Sequence, residues 1–414
     1  MKFKLISIGV LTFLSGTAFA DTSVVTTDAS NVTLYGALDV GVLSQSSNSN
    51  PALGYLPNAK NGGSSVSLKD GGLGLSYWGI KGSEDLGDGL KATFNLRGNI
   101  TAPTGVAGGP NSSGGTSLFN QEANLGLSGD FGSVKAGRVI APIWYAFAPT
   151  DVRGGAYFGS SLTGLVGLNS VTGKFAGGNS DALVGTIYND NALVYTSPVL
   201  SGITVNLEYT LGGQAGNSSA ARQTAATVNY GDDHLKLDAI YYSGNDNGAN
   251  NGTAAVPGTV TGNPTNAPEI PLNGTNTNRL MQVGALYKFT ALSLSAGYWK
   301  GTDPSDTGAG VNALKGITTG DVRMINLGAG YRVSEKINLT SGAYKITDQN
   351  HTGNSSVMYV LGSEYSFSKR TRAYLEVASV DNIGSNMNQG LIYASPVTAG
   401  INSHAVMLGL RHQF

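Results

Sequence analysis

Much of the chain consists of segments of about ten residues in which apolar and polar side chains alternate. Between Leu90 and Asn99, the even positions are apolar up to Leu96, whereas the odd positions carry polar or charged side chains. The segments 203–210 and 234–242 alternate in a similar way. Because successive side chains of a strand point to opposite faces, each segment predicts a β-strand with one apolar and one polar face.

The last predicted strand ends at the carboxyl terminus on an aromatic residue. One face of this strand consists of Val406, Leu408, Leu410, His412 and Phe414. A terminal strand of this form is typical of the closing strand of an outer-membrane β-barrel, although an amphipathic edge strand of another fold also fits it. We expect this face to meet lipid and its residues Leu410, His412 and Phe414 to be the signal read by the barrel-assembly machinery. Arg411, on the other face, should meet water in the pore.

The connections between the predicted strands alternate between short turns and long polar loops. The short turns are 87–89, 129–132, 199–202, 231–233, 290–292, 334–336 and 368–370. The long loops are 46–71, 100–116, 141–190, 211–222, 245–278, 302–321, 351–355 and 383–403. Seven turns and eight loops separate sixteen strands, which predicts an all-β fold, a 16-stranded antiparallel transmembrane β-barrel with short periplasmic turns and long extracellular loops. A β-sandwich gives no reason for this alternation, and a solenoid would have a short fixed repeat, which is absent.

Aromatic residues mark the predicted short-turn rim of this barrel. Those beside short turns or at the chain end are Tyr230, Tyr287, Phe289, Tyr331, Tyr365, Phe367 and Phe414. Aromatic side chains concentrate at membrane–water interfaces, so their common position predicts an interfacial girdle.

Residues 1–20 have the form of a secretory signal peptide. Lys2 and Lys4 precede an apolar core, and Ala18-Phe19-Ala20 forms a cleavage site of the A-x-A type before Asp21. The apolar core is too short for a membrane-spanning helix, which needs about 20 residues. We therefore expect export through the periplasm, cleavage after Ala20, and a barrel domain covering 21–414 in the cell outer membrane.

Composition narrows the range of functions. Charged residues make up only 12% of the chain, glycine occurs 60 times, and the formal net charge is −1. A near-neutral chain is a poor candidate for binding nucleic acid, and a lipid-facing barrel needs less surface charge than a soluble protein. With no cysteine, four scattered histidines and neither a G-x-S-x-G nor an H-E-x-x-H motif, the sequence predicts no enzyme, metal site or cofactor.

Several segments together resemble the general porins of Gram-negative bacteria, in particular the trimeric proteobacterial group. The matching segments are Val32–Val42, Trp78–Ala92, Leu125–Arg138, Tyr195–Pro198 and Gly409–Phe414. The resemblance implies a homotrimer whose protomers each let small hydrophilic solutes and ions diffuse through a water-filled channel. It also implies that the third long loop folds into the barrel and narrows it. This loop spans 141–190, and the sequence leaves open which part of it folds inward.

For a pore, the functional site is the constriction, where fixed charges at close range select ions. The polar face of one strand places Lys91 and Arg97 in the lumen, and Arg138 resembles a wall arginine of the family. Lys81, Arg372 and Arg411 are further candidates, and the infolded loop would present Asp151 with Arg153 beside it. These charges could instead lie in the lumen away from its narrow point. The predicted wall is more basic than the loop is acidic, which favours a mild preference for anions.

Two other functions remain open on the same fold. A substrate-selective channel would need a dedicated binding ladder inside the barrel, and a surface adhesin or structural barrel would act through long loops such as 245–278. Outer-membrane lipid and lipopolysaccharide are the expected surroundings in each case.

Overall fold

The computed structural model describes residues 22–25, 31–47, 63–107, 118–164, 187–213, 215–220, 222–245, 277–302, 321–349, 353–384, 387, 389–393, 395, 397 and 400–414. The predicted signal peptide and its cleavage site lie outside the described residues. Strands account for most of the described chain, as the alternating pattern predicts. In chain order they are β1 Thr22–Val25, β2 Asn31–Gln45, β3 Ser65–Asp70, β4 Tyr77–Gly87, β5 Leu90–Thr101, β6 Val106–Ala107, β7 Glu122–Gly129, β8 Gly132–Ile140, β9 Tyr188–Thr196, β10 Ile203–Thr210, β11 Gln223–Gly231, β12 Leu235–Asn245, β13 Thr277–Lys288, β14 Leu292–Thr302, β15 Asp321–Arg332, β16 Ile337–Asp348, β17 Ser355–Ser366, β18 Thr371–Ile383 and β19 Ser403–Gln413.

Antiparallel pairing of neighbours closes the sheet into a barrel of sixteen strands. In this count β3 and β4 form one strand, and the short β1 and β6, which pair only with the ends of β2 and β5, are left out. β19 pairs with β18 on one side and with β2 on the other, so the last strand joins the first long strand. At this junction Gly36 and Phe414 exchange two backbone hydrogen bonds of 3.0 Å each. Closure removes the exposed edges that a sheet of this size would otherwise present. The predicted fold class is therefore confirmed.

The second strand of the barrel is broken in two. β3 pairs with the carboxyl-terminal half of β2, and β4 pairs with its amino-terminal half. Residues 71–76 connect the two pieces without continuing the ladder. The prediction of a single loop over 46–71 was wrong at its end, because Ser65–Asp70 extends the wall as β3.

The two faces of β19 agree with the sequence pattern. Val406, Leu408, Leu410 and His412 are exposed on the outer surface, whereas Met407 is buried inside. Arg411 also points into the interior, opposite Asp39 of β2. Since the outer face of a transmembrane barrel meets hydrocarbon, this division gives β19 one lipid-facing and one lumen-facing side.

The predicted short turns connect consecutive strands at one rim. Aromatic side chains beside these turns are exposed, notably Tyr287, Phe289, Tyr331, Tyr365 and Phe367. Tyr287 packs edge-on against Phe289 with 4.8 Å between ring centroids, and Tyr365 against Phe367 with 5.0 Å. These pairs form the girdle that the sequence predicts for the periplasmic interface.

The third long connection, which we call loop 3, enters the barrel. Its described part contains helix α1 Pro142–Phe147, a short 3-10 helix Ala148–Thr150, and helix α2 Ser161–Gly164. Most of its side chains from 141 to 164 are buried. No helix among the described residues has the length and hydropathy needed to cross a bilayer. The inward path implied by the family resemblance is confirmed, and it begins directly after β8.

Candidate functional site

Loop 3 packs against the inner wall of the barrel. Phe147 lies edge-on against Trp299 of β14, with ring centroids 5.1 Å apart. The carbonyl of Ala146 accepts a hydrogen bond of 3.0 Å from Asn229 of β11. The hydroxyl of Thr150 donates to Asp238 of β12. Apolar packing and wall hydrogen bonds thus fix loop 3 on the side of the barrel formed by β10–β14.

Arg153 continues this attachment with a buried ion pair. One guanidinium nitrogen donates to Glu376 of β18 at 2.7 Å, and another donates to Thr340 of β16, also at 2.7 Å. The remaining contacts are with the carbonyls of Phe158 and Gly159 in loop 3 itself. Burial disfavours a charge on Arg153, but the Glu376 carboxylate outweighs this and raises the pKa of the guanidinium above its ordinary value.

The carboxylate of Asp151 also accepts several hydrogen bonds from the protein and is buried. Tyr344 of β16 donates to its carboxylate at 3.0 Å. Ser161 donates to it from both its hydroxyl, at 2.7 Å, and its backbone N–H, at 2.9 Å. Asp151 and Arg153, expected from sequence at the constriction, therefore sit at the attachment between loop 3 and the wall.

A second inward segment lies at the break in the second strand. The buried carboxylate of Asp39 accepts hydrogen bonds from the backbone N–H groups of Gly72, Leu73 and Gly74 at 3.0–3.2 Å. Arg411 donates to the same carboxylate at 3.0 Å. The carbonyl of Gly72 in turn accepts from the N–H of Phe158 at 2.9 Å, which ties this segment to loop 3. The hydroxyl of Tyr374 also donates a hydrogen bond of 2.7 Å to the carboxylate of Asp39.

The wall formed by β2, β4, β5 and β7 carries basic and aromatic side chains that loop 3 leaves partly uncovered. The guanidinium of Arg97 lies over the ring of Tyr77 at 3.6 Å from its centroid. It also faces Glu122 of β7, with 3.9 Å between the charged atoms. Lys81 lies over the ring of Tyr35 at 5.2 Å. The register places Arg97 and Lys81 on the inner face, as the sequence predicts.

The charges of this basic wall act on Tyr145 of α1. Shielding by the surrounding protein and the carboxylate of Glu122 raise the pKa of Tyr145, while the guanidinium of Arg97 lowers it. Tyr145 remains exposed, although its neighbours Ile143, Ala146 and Phe147 in α1 are buried.

Arg138 occupies an irregular position in β8. The ladder to β9 shifts between Gly137 and Val139, and Gly137 has a φ of +128°, a conformation that favours glycine. Arg138 pairs with Asp190 and donates to the carbonyl of Asn120 at 2.6 Å. The bulge thus sets the direction of Arg138 independently of the regular alternation.

The other candidate charges lie on the inner face nearer the short-turn rim. Arg372 pairs with Glu364 at 2.8 Å and lies directly opposite Arg411 in the ladder. Lys91 is exposed close to the turn between β4 and β5. The structure therefore brings Arg372 and Arg411 together. Lys91 and Arg97 lie on the same face of β5 but are separated by three two-residue repeats of the strand.

Sequence reasoning missed the acidic partners of these cations. Three acidic residues occupy inward-facing positions in the alternation of their strands: Glu376, Asp39 and Glu122. The face of the sheet on which they lie was therefore predictable. Their pairing was not, because the partners are far apart in sequence: 223 residues separate Arg153 from Glu376. Two further acids, Glu208 and Asp238, are buried on the wall that loop 3 covers.

The described residues contain no group of histidine, cysteine and carboxylate side chains arranged to hold a metal ion. Loop 3 covers the side of the lumen formed by β10–β14. The side formed by β2, β4, β5 and β7 is lined by cations and phenols. Fixed charges of this kind act on passing ions by Coulombic attraction and repulsion.

Comparison with known proteins agrees with this architecture. A profile of the family described as Gram-negative porin matches residues 7–385. Outer membrane porin protein 32 of Delftia acidovorans is 28% identical over 423 residues, and an outer membrane porin protein of Bordetella pertussis is 25% identical over 443 residues. In both cases all of this chain and all of the relative are covered.

Solved structures show the same fold. An anion-selective porin from Comamonas acidovorans superposes with a TM-score of 0.67 at 23% identity, covering 93% of this chain and 100% of that one. OmpT of Vibrio cholerae in its trimer form superposes with a TM-score of 0.57 at 15% identity, covering 94% of this chain and all of that chain. With the family profile spanning most of the sequence and the closed barrel in place, the chain belongs to the Gram-negative porin family and is an outer-membrane porin.

Proposed function

We propose that this porin lets small hydrophilic solutes and ions diffuse passively, with a mild preference for anions. The observation that carries the preference is the unequal covering of charges in the lumen. Asp238 and Glu376 are buried and accept hydrogen bonds from loop 3, and Glu208 is buried against Asn189 of β9. Arg97 and Lys81 remain partly accessible on the wall that loop 3 leaves open. Among the described residues, the water-accessible fixed charge on the wall formed by β2, β4, β5 and β7 is therefore mainly positive, which attracts anions and repels cations.

Reversal potentials across a bilayer with a potassium chloride gradient test this preference. The parent protein should pass chloride more readily than potassium. In Arg97→Gln/Lys81→Gln the ratio of chloride to potassium permeability should fall by at least about fivefold, since even one of the two charges, about 4 Å from an ion, contributes about 1 kcal/mol in water. Lys369→Gln, which removes an exposed charge from a short turn, should leave the ratio unchanged. A parent pore that prefers potassium would contradict the proposal.

The same recordings separate the two other functions considered for this fold. A substrate-selective channel would show current block that depends on the concentration of one class of solute. An adhesin or structural barrel would give negligible conductance. Passive diffusion instead requires a current that rises in proportion to salt concentration, without saturation at low concentrations.

We also propose a homotrimer. Support comes from the related Vibrio cholerae protein, which is described in a trimer form. After correction for bound detergent, the mass of the folded protein should equal that of three protomers. Heating should reduce this mass to that of a single protomer. A folded species with the mass of a single protomer at high protein concentration would contradict this state.

The proposed route to the membrane begins with the amino-terminal signal. Cleavage after Ala20 would start the mature chain at Asp21, and the barrel-assembly machinery would then recognise the final strand through Phe414, His412 and Leu410. The exposure of Leu410 and His412 on the lipid-facing side supports this assignment, because a recognition signal has to be accessible during insertion.

A further inference from the structure

Two glycines lie side by side on the inner wall of the barrel. Gly284 of β13 is directly opposite Gly297 of β14 in the ladder. The carboxylate of Asp238 in β12 occupies the space that a side chain at Gly284 would need, and the amide of Asn326 in β15 does the same at Gly297. Asp238 and Asn326 therefore extend towards each other over the glycine pair from the strands on either side. We call this recess the glycine pocket.

Three side-chain oxygens at the glycine pocket are buried without a hydrogen-bond partner. They are Oδ2 of Asp238, Oε1 of Gln282 and Oδ1 of Asn326. The three residues expose only 5%, 4% and 3% of their surface. The amide nitrogen of Gln282 donates to the other carboxylate oxygen of Asp238 at 3.1 Å, which fixes the orientation of this amide. Buried acceptors are costly unless a donor or a cation meets them, so three of them at one place indicate a ligand.

Loop 3 closes the glycine pocket on the side of the lumen. The hydroxyl of Thr150 donates to Asp238 and lies over Gly284 as well. Beside it, Phe147 packs edge-on against Trp299, which is only 1% exposed. The pocket is therefore shielded from bulk water by the same segment of loop 3 that attaches to the wall.

The charge of the pocket decides which kind of ligand fits. The ion pairs among the described residues do not include Asp238, although its carboxylate is buried. A buried carboxylate is stabilised by a positive charge beside it. One carboxylate balances one monovalent cation, whereas a divalent ion would leave a positive charge buried. Carboxylate and amide oxygens are hard ligands of the kind that such cations prefer.

We propose that the glycine pocket binds one alkali cation, held by Asp238, Gln282 and Asn326 with water completing its coordination. Only one of these ligands is a carboxylate, so the site differs from the groups of histidine, cysteine and carboxylate side chains that are absent from the described residues. Because loop 3 closes over the pocket, the cation stabilises the attached position of loop 3. The site is buried in the wall, so it is independent of the ion preference proposed for the pore.

Hydrogen exchange in loop 3 tests the site in the folded protein in detergent. Exchange in peptides covering 148–164 is compared in sodium chloride and in N-methyl-D-glucamine hydrochloride of equal ionic strength, because the organic cation is too large for the pocket. At ten times its Kd, sodium that binds only the attached state should slow exchange by about tenfold. In crystals grown with rubidium chloride, the anomalous signal of the ion should appear beside Asp238.

Two variants assign the effect to the pocket. Asp238→Asn removes the charge and should abolish the difference between sodium and the organic cation. Asn326→Leu removes one ligand and should raise the sodium concentration needed for protection by about tenfold or more. The matched control Asn338→Leu replaces an inward amide nearer the short-turn rim and should respond to sodium like the parent. Unchanged single-channel conductance shows that each variant has formed its barrel.

Three results would overturn the proposal. Equal exchange in sodium and in the organic cation would show that water or a proton on Asp238 satisfies the three oxygens. A sodium effect that persists in Asp238→Asn would place the cation elsewhere. Protection by calcium chloride, with none by sodium, would identify a site for a divalent ion.

Discussion

Replacing Arg153 by methionine is expected to accelerate amide hydrogen exchange in loop 3 by about a hundredfold to several thousandfold. The substitution leaves Glu376 buried without its cation, and breaking one side of a buried ion pair costs about 3–5 kcal/mol. Each 1.4 kcal/mol is a factor of ten in the equilibrium that separates loop 3 from the wall. Exchange measured by mass spectrometry on peptides covering 148–164 reports this equilibrium, because opening exposes their amides.

The double variant Arg153→Met/Glu376→Met is the matched control. It removes both charges, and a buried pair replaced by apolar residues of similar size is often neutral in stability. Exchange in loop 3 should therefore return towards the rate of the parent. The current noise of single channels should likewise be highest in Arg153→Met and close to that of the parent in the double variant. Exchange in Arg153→Met that matches the parent would mean that the remaining contacts, including those of Asp151 with Tyr344 and Ser161, hold loop 3 alone.

Deletion of Phe414 is expected to reduce the amount of folded barrel in the outer membrane by a factor of at least five. The deletion removes both backbone hydrogen bonds with Gly36 that complete the junction of β19 and β2. Together they contribute about 1–3 kcal/mol to closure, and the unpaired groups of Gly36 are costlier still next to hydrocarbon. Comparing unheated and heated samples by gel electrophoresis of outer membranes gives the folded fraction.

Molecules that do insert without Phe414 should conduct like the parent, because Phe414 belongs to the outer face of β19 whereas Arg97 lies on the inner face of the wall. Phe414→Tyr keeps the backbone and an aromatic ring, so it should assemble normally. Normal levels of folded protein after the deletion would mean that neither the terminal pair with Gly36 nor the aromatic end is needed for insertion.

The parts of the fold that depend on local pattern were predictable from the sequence. Alternation along β19 placed Leu408 outside and Arg411 inside, and the glycine-containing turn at Gly87–Gly89 was recognisable from composition. These features depend on the two-residue period of a strand and on turn residues close in sequence. They need no knowledge of which strands are neighbours on the far side of the barrel.

The contacts of the site were less predictable, because they depend on partners brought together by closure. Arg153 was expected beside the constriction, but the carboxylate that holds it comes from β18. The break between β3 and β4 depends on Asp39, whose carboxylate collects three backbone N–H groups. Neither residue type signals such a role in sequence, since the same aspartate or arginine would be solvated in an open strand.

The long sequence separation of the loop 3 contacts has a consequence for the order of assembly. Arg153 bonds to Thr340 and Glu376, which follow it by 187 and 223 residues. The tie from Phe158 to Gly72 depends on Asp39, and Asp39 is itself held by Arg411 of the last strand. Loop 3 leaves the secretion channel first but cannot reach its final position until the end of the chain has arrived. We expect loop 3 to narrow the lumen only in the last step of folding. A barrel whose assembly stops before closure would therefore have loop 3 out of its final position.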